Sequence, residues 1–136
     1  MDEQWRPCFP PVTATALPVA LAENPIVVIH FWAIWNGVDR RFTPTLVAVE
    51  REYGRRIAFR AADVDDPAIA PLCEEFGIGN VPALACFVHG RRLKTIVGMR
   101  SEEQLRAELR GLIAASEGLG SGDAAARTRR WWQFWR

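Results

Sequence analysis

Cysteine and long apolar runs are both scarce in this sequence of 136 residues. The three cysteines, Cys8, Cys73 and Cys86, form no Cys-x-x-Cys pair and lack the spacing of zinc ligands. We therefore expect reduced thiols, no metal and no cofactor. The longest apolar run, 26–34, is interrupted by His30 and is too short to cross a bilayer. The N-terminus has no basic segment followed by an apolar one, so we expect no secretory signal and a cytoplasmic location.

Acidic side chains are missing from the last ten residues, RTRRWWQFWR, which hold four of the 17 basic side chains. The rest of the chain therefore carries a net charge of −3, although the whole chain has a net charge of +1. A net-acidic body does not offer the basic surface that binds nucleic acid, so we expect no nucleic-acid partner. The length and the composition, 49% apolar and 24% charged, are those of a single globular domain.

What the sequence does contain is a regular alternation of strand and helix patterns. The stretch PIVVIHFW is continuously apolar and rich in β-branched residues, which is typical of a central strand buried on both faces. Asn36 can cap the helix that follows, whose apolar positions recur at spacings of three and four: Val38, Phe42, Leu46, Val49 and Tyr53. Before this strand, the sequence is compatible with a short edge strand and a short helix capped by Thr13 or Thr15.

The second half of the chain predicts another strand, another helix, a hairpin and a last helix. RIAFRAADV is typical of a buried strand, and the next helix is expected to begin at Pro67 and to end at Gly77 or Gly79. The turn signal HG lies between two strand-like stretches, ALACFV and RLKTIVG. Ser101 and Gln104 form a capping box before the last helix. This order of elements indicates an α/β fold.

The stretch HFWAIWNGVDRRFTP resembles the active-site segment of the thioredoxin family, FWAxWCGPC followed by a proline. The matching residues are Phe31, Trp32, Ala33, Trp35, Gly37 and Pro44, and later motifs match at Asp65, Val81-Pro82, Gly90 and Gly98. The resemblance covers about residues 12 to 114. It implies a thioredoxin-like α/β fold with a central mixed sheet of four to five strands flanked by helices, and a cis peptide bond before Pro82. We divide the chain into an N-terminal extension (1–11), a thioredoxin-like domain (12–115) and a flexible linker with a Trp/Arg-rich tail (116–136).

The departures from the family pattern fall on the positions of dithiol chemistry. Asn36 and Asp39 stand where the family has its two cysteines, and Val38 replaces the proline between them. The family's buried acid corresponds to His30, and the lysine that partners it corresponds to Ala61. Disulfide exchange needs one thiolate to attack and a second thiol to resolve the mixed disulfide. We therefore predict that this chain is not a dithiol–disulfide oxidoreductase and, by the same reasoning, that it is redox-inactive.

Two enzymatic alternatives remain open. His30 and Asp39 form a degenerate site together with Asn36, and a histidine beside a carboxylate can serve as a general base in a lyase or hydrolase. No nucleophile or oxyanion hole accompanies them, and we favour a buried polar pair with a structural role. A single-thiol redox enzyme using Cys8 or Cys73 is the other alternative.

The resemblance also implies a shallow apolar groove that holds an extended peptide. The corresponding residues are Trp35, Gly37, Val38, Val81, Pro82, Gly98 and Met99. Such a groove can bind a peptide through backbone hydrogen bonds and apolar contacts without any thiol. We therefore predict a protein-binding, scaffold or chaperone-like module whose partner is a protein or an extended peptide.

The C-terminal tail concentrates large aromatic residues among arginines: Trp131, Trp132, Phe134 and Trp135. This composition suits a membrane surface or a groove on a protein, because the rings can be buried while the guanidinium groups stay hydrated. We expect the tail to be an interaction element that binds a membrane, a partner or the domain's own groove.

Overall fold

A central strand, β1 (Ile26–Trp32), organises the sheet in the computed structural model, which describes residues 5–118. All seven of its residues are buried, as the continuous apolar run predicts. It pairs in parallel with β2 (Ala58–Asp63) and antiparallel with β3 (Ala83–Val88), and β3 pairs antiparallel with β4 (Arg91–Val97). The strand order is β2-β1-β3-β4, so the expected mixed sheet is confirmed with four strands.

Helices cover both faces of this sheet. The first face carries α2 (Gly37–Tyr53) and α4 (Glu102–Gly118), and the second carries α1 (Leu17–Glu23) and α3 (Ala70–Phe76). Successive residues of a strand point to opposite faces, and the core is divided accordingly. The α2 and α4 side buries these helix residues against the sheet: Phe42, Leu46, Val49, Leu105, Leu109 and Leu112.

The predicted hairpin and capping box are both present. His89 and Gly90 form the turn between β3 and β4 with φ values of 49° and 82°, a left-handed conformation that glycine adopts without steric cost. At the start of α4, the Gln104 N–H donates to Ser101 Oγ at 3.1 Å, and the Ser101 N–H donates to Gln104 Oε1 at 3.0 Å. These reciprocal bonds satisfy donors that the helix itself leaves unpaired.

Two helix starts differ from the sequence-based expectation. The N-cap of α1 is Ala16, which has no side-chain cap; the expected cap Thr13 instead accepts the Ala16 N–H at 3.0 Å in the preceding turn. α3 begins at Ala70 rather than at Pro67, because the residues before it form a turn in which Asp66 Oδ1 accepts the Ala68 N–H at 2.9 Å. Short polar side chains stabilise such turns in competition with the first helical turn.

Residues before position 12 pack on the domain. Phe9 is buried and stacks on Phe59 with ring centroids 4.8 Å apart, and Trp5 meets Trp32 edge-on at 5.2 Å. Ala61 of β2 exchanges backbone hydrogen bonds with Pro10 and Val12, and a single bridge joins Pro11 to Ala61. The expected edge strand is therefore reduced to one bridge beside β2.

The described part of the chain ends with α4 at Gly118, so this helix continues past the predicted domain end at residue 115. The tail residues singled out above lie outside the described residues, namely Trp131, Trp132, Phe134 and Trp135. No helix within residues 5–118 is both long enough and apolar enough to cross a membrane.

Candidate functional site

Asn36 connects two loops at the carboxyl end of β1. Its Oδ1 accepts the backbone N–H groups of Val38 at 2.8 Å and Asp39 at 3.2 Å, which makes it the N-cap of α2 as predicted. Its Nδ2 donates to the carbonyl oxygen of Val81 at 3.0 Å. The amide side chain thus holds the start of α2 against the loop that precedes β3. Both polar ends of the side chain are engaged.

His30 and Asp39 form the predicted buried pair. Both residues are fully buried, and His30 Nε2 lies 2.8 Å from Asp39 Oδ1. Asp39 Oδ2 accepts the backbone N–H of Ala33 at 3.1 Å, so both carboxyl oxygens have partners. The His30 ring also meets the rings of Phe9 and Phe42 edge-on, at 6.4 and 6.3 Å. The pair joins β1, the first turn of α2 and the loop between them.

The surroundings of this pair do not favour a catalytic role. His30 lies directly opposite Ala61 in the pairing of β1 with β2, so no cation occupies the position where the resemblance expects a lysine. A general base must reach the proton that it removes, and His30 and Asp39 are closed to solvent. Among residues 5–118 no three His, Cys, Asp or Glu side chains are grouped as metal ligands. The arrangement is that of a structural hydrogen-bond network.

None of the three cysteines has the surroundings of an activated thiol. Burial raises the pKa of the Cys86 thiol to about 12, and Cys86 lies inside β3 with no exposed surface. Burial also raises the pKa of Cys73 and, with a smaller contribution from the nearby Glu50 carboxylate, that of Cys8. A reactive cysteine needs a lowered pKa, because the thiolate is the nucleophile.

The loop before β3 brings several of the predicted groove residues together. The Val81–Pro82 peptide bond is cis, and Pro82 is buried. The Gly98 N–H donates to the Pro82 carbonyl at 2.8 Å, which places the end of β4 beside this loop. Gly98 has φ +92°, so a side chain at this position would strain the backbone. Met99, which follows, is exposed.

Trp35 is the most exposed large apolar side chain of the described residues, at 67%. It borders a depression of about 230 Å³ whose lining is Trp35, Asn36, Val64, Ile78, Gly79, Asn80 and Val81. Of the predicted groove residues, Trp35 and Val81 line this depression, and five do not: Gly37, Val38, Pro82, Gly98 and Met99.

Four lining residues were missed by the sequence analysis: Val64, Ile78, Gly79 and Asn80. Val64 follows β2, and its N–H donates to the Trp32 carbonyl at 3.0 Å. The parallel pairing of β1 with β2 could have indicated this neighbour, since parallel strands end at the same edge of a sheet.

Comparisons with known proteins agree with this architecture. The thioredoxin family model matches residues 11–111. A thioredoxin of Porphyra purpurea is 34% identical over 89 residues, covering 65% of this chain and 80% of its own. A thioredoxin of Alicyclobacillus acidocaldarius subsp. acidocaldarius is 30% identical over 87 residues, covering 64% and 81%. The structure of oxidized mitochondrial thioredoxin 3 from Saccharomyces cerevisiae superposes with a TM-score of 0.69 at 22% identity, covering 76% of this chain and 95% of that one.

Proposed function

The chain belongs to the thioredoxin family, and we propose that it is a redox-inactive member that binds proteins or extended peptides beside Trp35. The observation that carries this proposal is that the two residues at the family's cysteine positions are both engaged in hydrogen bonds within the domain. Asn36 caps α2 and holds Val81, and Asp39 pairs with the buried His30. An amide and a carboxylate that are engaged in this way neither attack a disulfide nor resolve one.

The surface that remains has the elements of a peptide-binding site. Within residues 5–118 the Val81 N–H donates to no acceptor, so an extended chain lying along this loop can accept a hydrogen bond from it. Trp35 offers a large exposed ring and lines the same depression as Val81, and tryptophan is among the residues that contribute most to binding energy at interfaces. Thioredoxin-family proteins interact with protein substrates, and this chain would bind proteins without carrying out dithiol–disulfide exchange.

The redox part of the proposal is tested by insulin reduction with the full chain. We expect no activity from the wild type and weak activity from the double variant Asn36→Cys/Asp39→Cys, which regains both thiols but no buried acid. The variant Asn36→Ser/Asp39→Ser is the control, because it also removes the amide and the carboxylate and serine matches cysteine in size, but it adds no sulfur. A wild-type rate equal to that of the cysteine variant would contradict redox inactivity.

The binding part is tested with a labelled, permanently unfolded model protein, reduced and carboxymethylated, whose binding is followed by fluorescence anisotropy. We expect Trp35→Ser to weaken binding about tenfold or more, as truncation of a central aromatic residue does at interfaces. Val19 is 54% exposed on α1 and lies outside the depression, so Val19→Ser is the matched control for loss of exposed apolar surface. Equal binding by both variants and the wild type would refute a site at Trp35.

A further inference from the structure

We propose that the depression beside Trp35 is occupied by the C-terminal segment of the same chain, residues 127–136, which thereby limits access of other proteins to it. This inference rests on the proposed function, since it names a regulator of the same binding surface. Three observations support it: the size and lining of the depression, the charges around it, and the length of chain between α4 and the aromatic residues.

The depression fits a single apolar side chain rather than a small-molecule ligand. Its volume of about 230 Å³ is below the roughly 300–1,000 Å³ of pockets that hold drug-sized ligands. Val64, Ile78 and Val81 provide apolar walls beside the exposed ring of Trp35. Residues 131–135 offer three tryptophans and a phenylalanine, so one of these rings can fill the depression while a second packs on Trp35.

The charges on one side of the depression complement those of the tail. Five carboxylates lie at the end of β2 and in the turn that follows, next to Val64, and in the last turn of α3, just before Ile78: Asp63, Asp65, Asp66, Glu74 and Glu75. None of the five forms an ion pair within residues 5–118. The tail contributes four arginines and no acid. Guanidinium groups bind carboxylates with favourable geometry, so an aromatic segment flanked by arginines matches this side of the site.

The other side of the site favours one placement of the tail. Arg100 donates to the carbonyl oxygens of Val97 and Met99 at 3.0 and 3.3 Å, so a cation lies beside Met99, and Arg41 lies against Gly37. Like charges repel at this range, and the arginines of the tail are therefore directed away from Gly98 and towards the carboxylates.

The connecting segment is long enough to reach the depression. α4 begins close to Gly98 at the site end of the domain, and its far end contacts the β3–β4 turn, where the Ser116 carbonyl lies 3.0 Å from His89 Nε2. A helix of 17 residues is about 25 Å long, so Gly118 lies roughly that far from the site. The twelve residues from 119 to 130 can span about 40 Å when extended.

Attachment to the same chain makes even a weak contact effective. A segment tethered at this length has an effective concentration on the order of 1 mM at the depression. If the free segment binds with a Kd of about 100 μM, the tethered segment weakens competing ligands about tenfold. Another protein would then bind strongly only after displacing the tail.

The test uses full-length chains and one probe, a fluorescein-labelled synthetic peptide with the sequence of residues 125–136. The tail variant Trp131→Ser/Trp132→Ser/Trp135→Ser keeps every arginine but loses the rings, and the matched control Arg129→Ser/Arg130→Ser keeps the rings. We expect the peptide to bind the tail variant about tenfold more tightly than the wild type. Its affinity for the arginine control should lie between these two. Adding Trp35→Ser to the tail variant should weaken peptide binding about tenfold.

Each contrary result assigns a different occupant or none. The proposal would be overturned if the peptide bound the wild type and the tail variant with equal affinity, or if Trp35→Ser did not change its affinity for the tail variant. A wild-type dimer in analytical ultracentrifugation that the tail variant lacks would assign the tail to a second copy. Wild-type binding to vesicles containing phosphatidylglycerol, without peptide binding to the domain, would assign it to a membrane.

The same proteins separate this inference from the proposed function. If the unfolded model protein binds the tail variant through Trp35 and the tail peptide does not, the proposed function stands and the inference falls. If the tail peptide binds at Trp35 and the unfolded model protein binds neither chain, the inference stands and the general peptide-binding function falls.

Discussion

Replacing His30 by leucine should destabilise the domain strongly, because it leaves a buried carboxylate with one hydrogen bond. Asp39 would keep only the Ala33 N–H, at 3.1 Å, after losing the imidazole at 2.8 Å. Leaving a buried polar group without one of its hydrogen-bond partners costs about 1–3 kcal/mol, and more where the group is charged, so we expect a loss of about 3 kcal/mol. In a domain of about 110 residues this corresponds to a Tm lower by roughly 10–15 °C in calorimetry.

A double-mutant cycle decides whether the pair itself is responsible. Asp39→Ala leaves both His30 Nε2 and the Ala33 N–H without an acceptor, and we expect it to cost about 3 kcal/mol as well. The double variant His30→Leu/Asp39→Ala removes the unpaired carboxylate, so its cost should be about 2 kcal/mol below the sum of the single costs. Additive costs, within about 0.5 kcal/mol, would refute the reasoning, because they would show that the two residues do not depend on each other.

Three further predictions concern the caps, the N-terminal segment and the thiols. In urea denaturation Asn36→Ala should cost about 2 kcal/mol and Asn36→Ser about 1 kcal/mol, since serine still caps α2 but cannot reach the Val81 carbonyl. Equal costs would mean that the cap contributes nothing, and an Asn36→Ser variant as stable as the wild type would mean that the Val81 bond contributes nothing. Phe9→Ala should cost about 3 kcal/mol by emptying a buried site, and a loss below about 0.5 kcal/mol would show that residues before position 12 are dispensable to the core. Alkylation by iodoacetamide, followed by mass spectrometry, should not modify Cys86 until the chain unfolds. The raised pKa of Cys8 should make its alkylation at pH 7 slower than that of free cysteine, and the rate should increase as the pH rises. Alkylation of Cys8 at pH 7 that is faster than that of free cysteine would contradict this.

Features that depend on a few neighbouring residues could be predicted from the sequence. The Asn36 cap, the Ser101–Gln104 capping box and the His89–Gly90 turn each lie within four residues of chain, and all three are confirmed. The central strand was recognisable because a run buried on both faces needs no periodicity to stand out.

Features that depend on distant neighbours could not be predicted in the same way. One local feature, the start of α3, also differs from the expectation, because the turn at Asp66 competes with the helix for the same backbone groups. The packing of Phe9 on Phe59 and the bond from Asn36 to Val81 join parts of the chain that are far apart in sequence. The depression was found only in part for the same reason: Val64 and Ile78 reach Trp35 through the folding of two loops.

The residues at the two positions where the family has cysteines belong to one hydrogen-bond network, in which Asn36 Oδ1 accepts the Asp39 N–H. Asn36 accepts hydrogen bonds from the first backbone N–H groups of α2 and donates one to the Val81 carbonyl. Asp39 forms hydrogen bonds with the His30 ring and with the Ala33 N–H. Within residues 5–118 only one buried polar side-chain atom, His30 Nδ1, lacks a hydrogen-bond partner. Each buried polar group without a partner costs about 1–3 kcal/mol, so an arrangement that left several of them would destabilise the domain. This network holds the loop between β1 and α2 against the loop at Val81, and it thereby positions Trp35 at the edge of the depression.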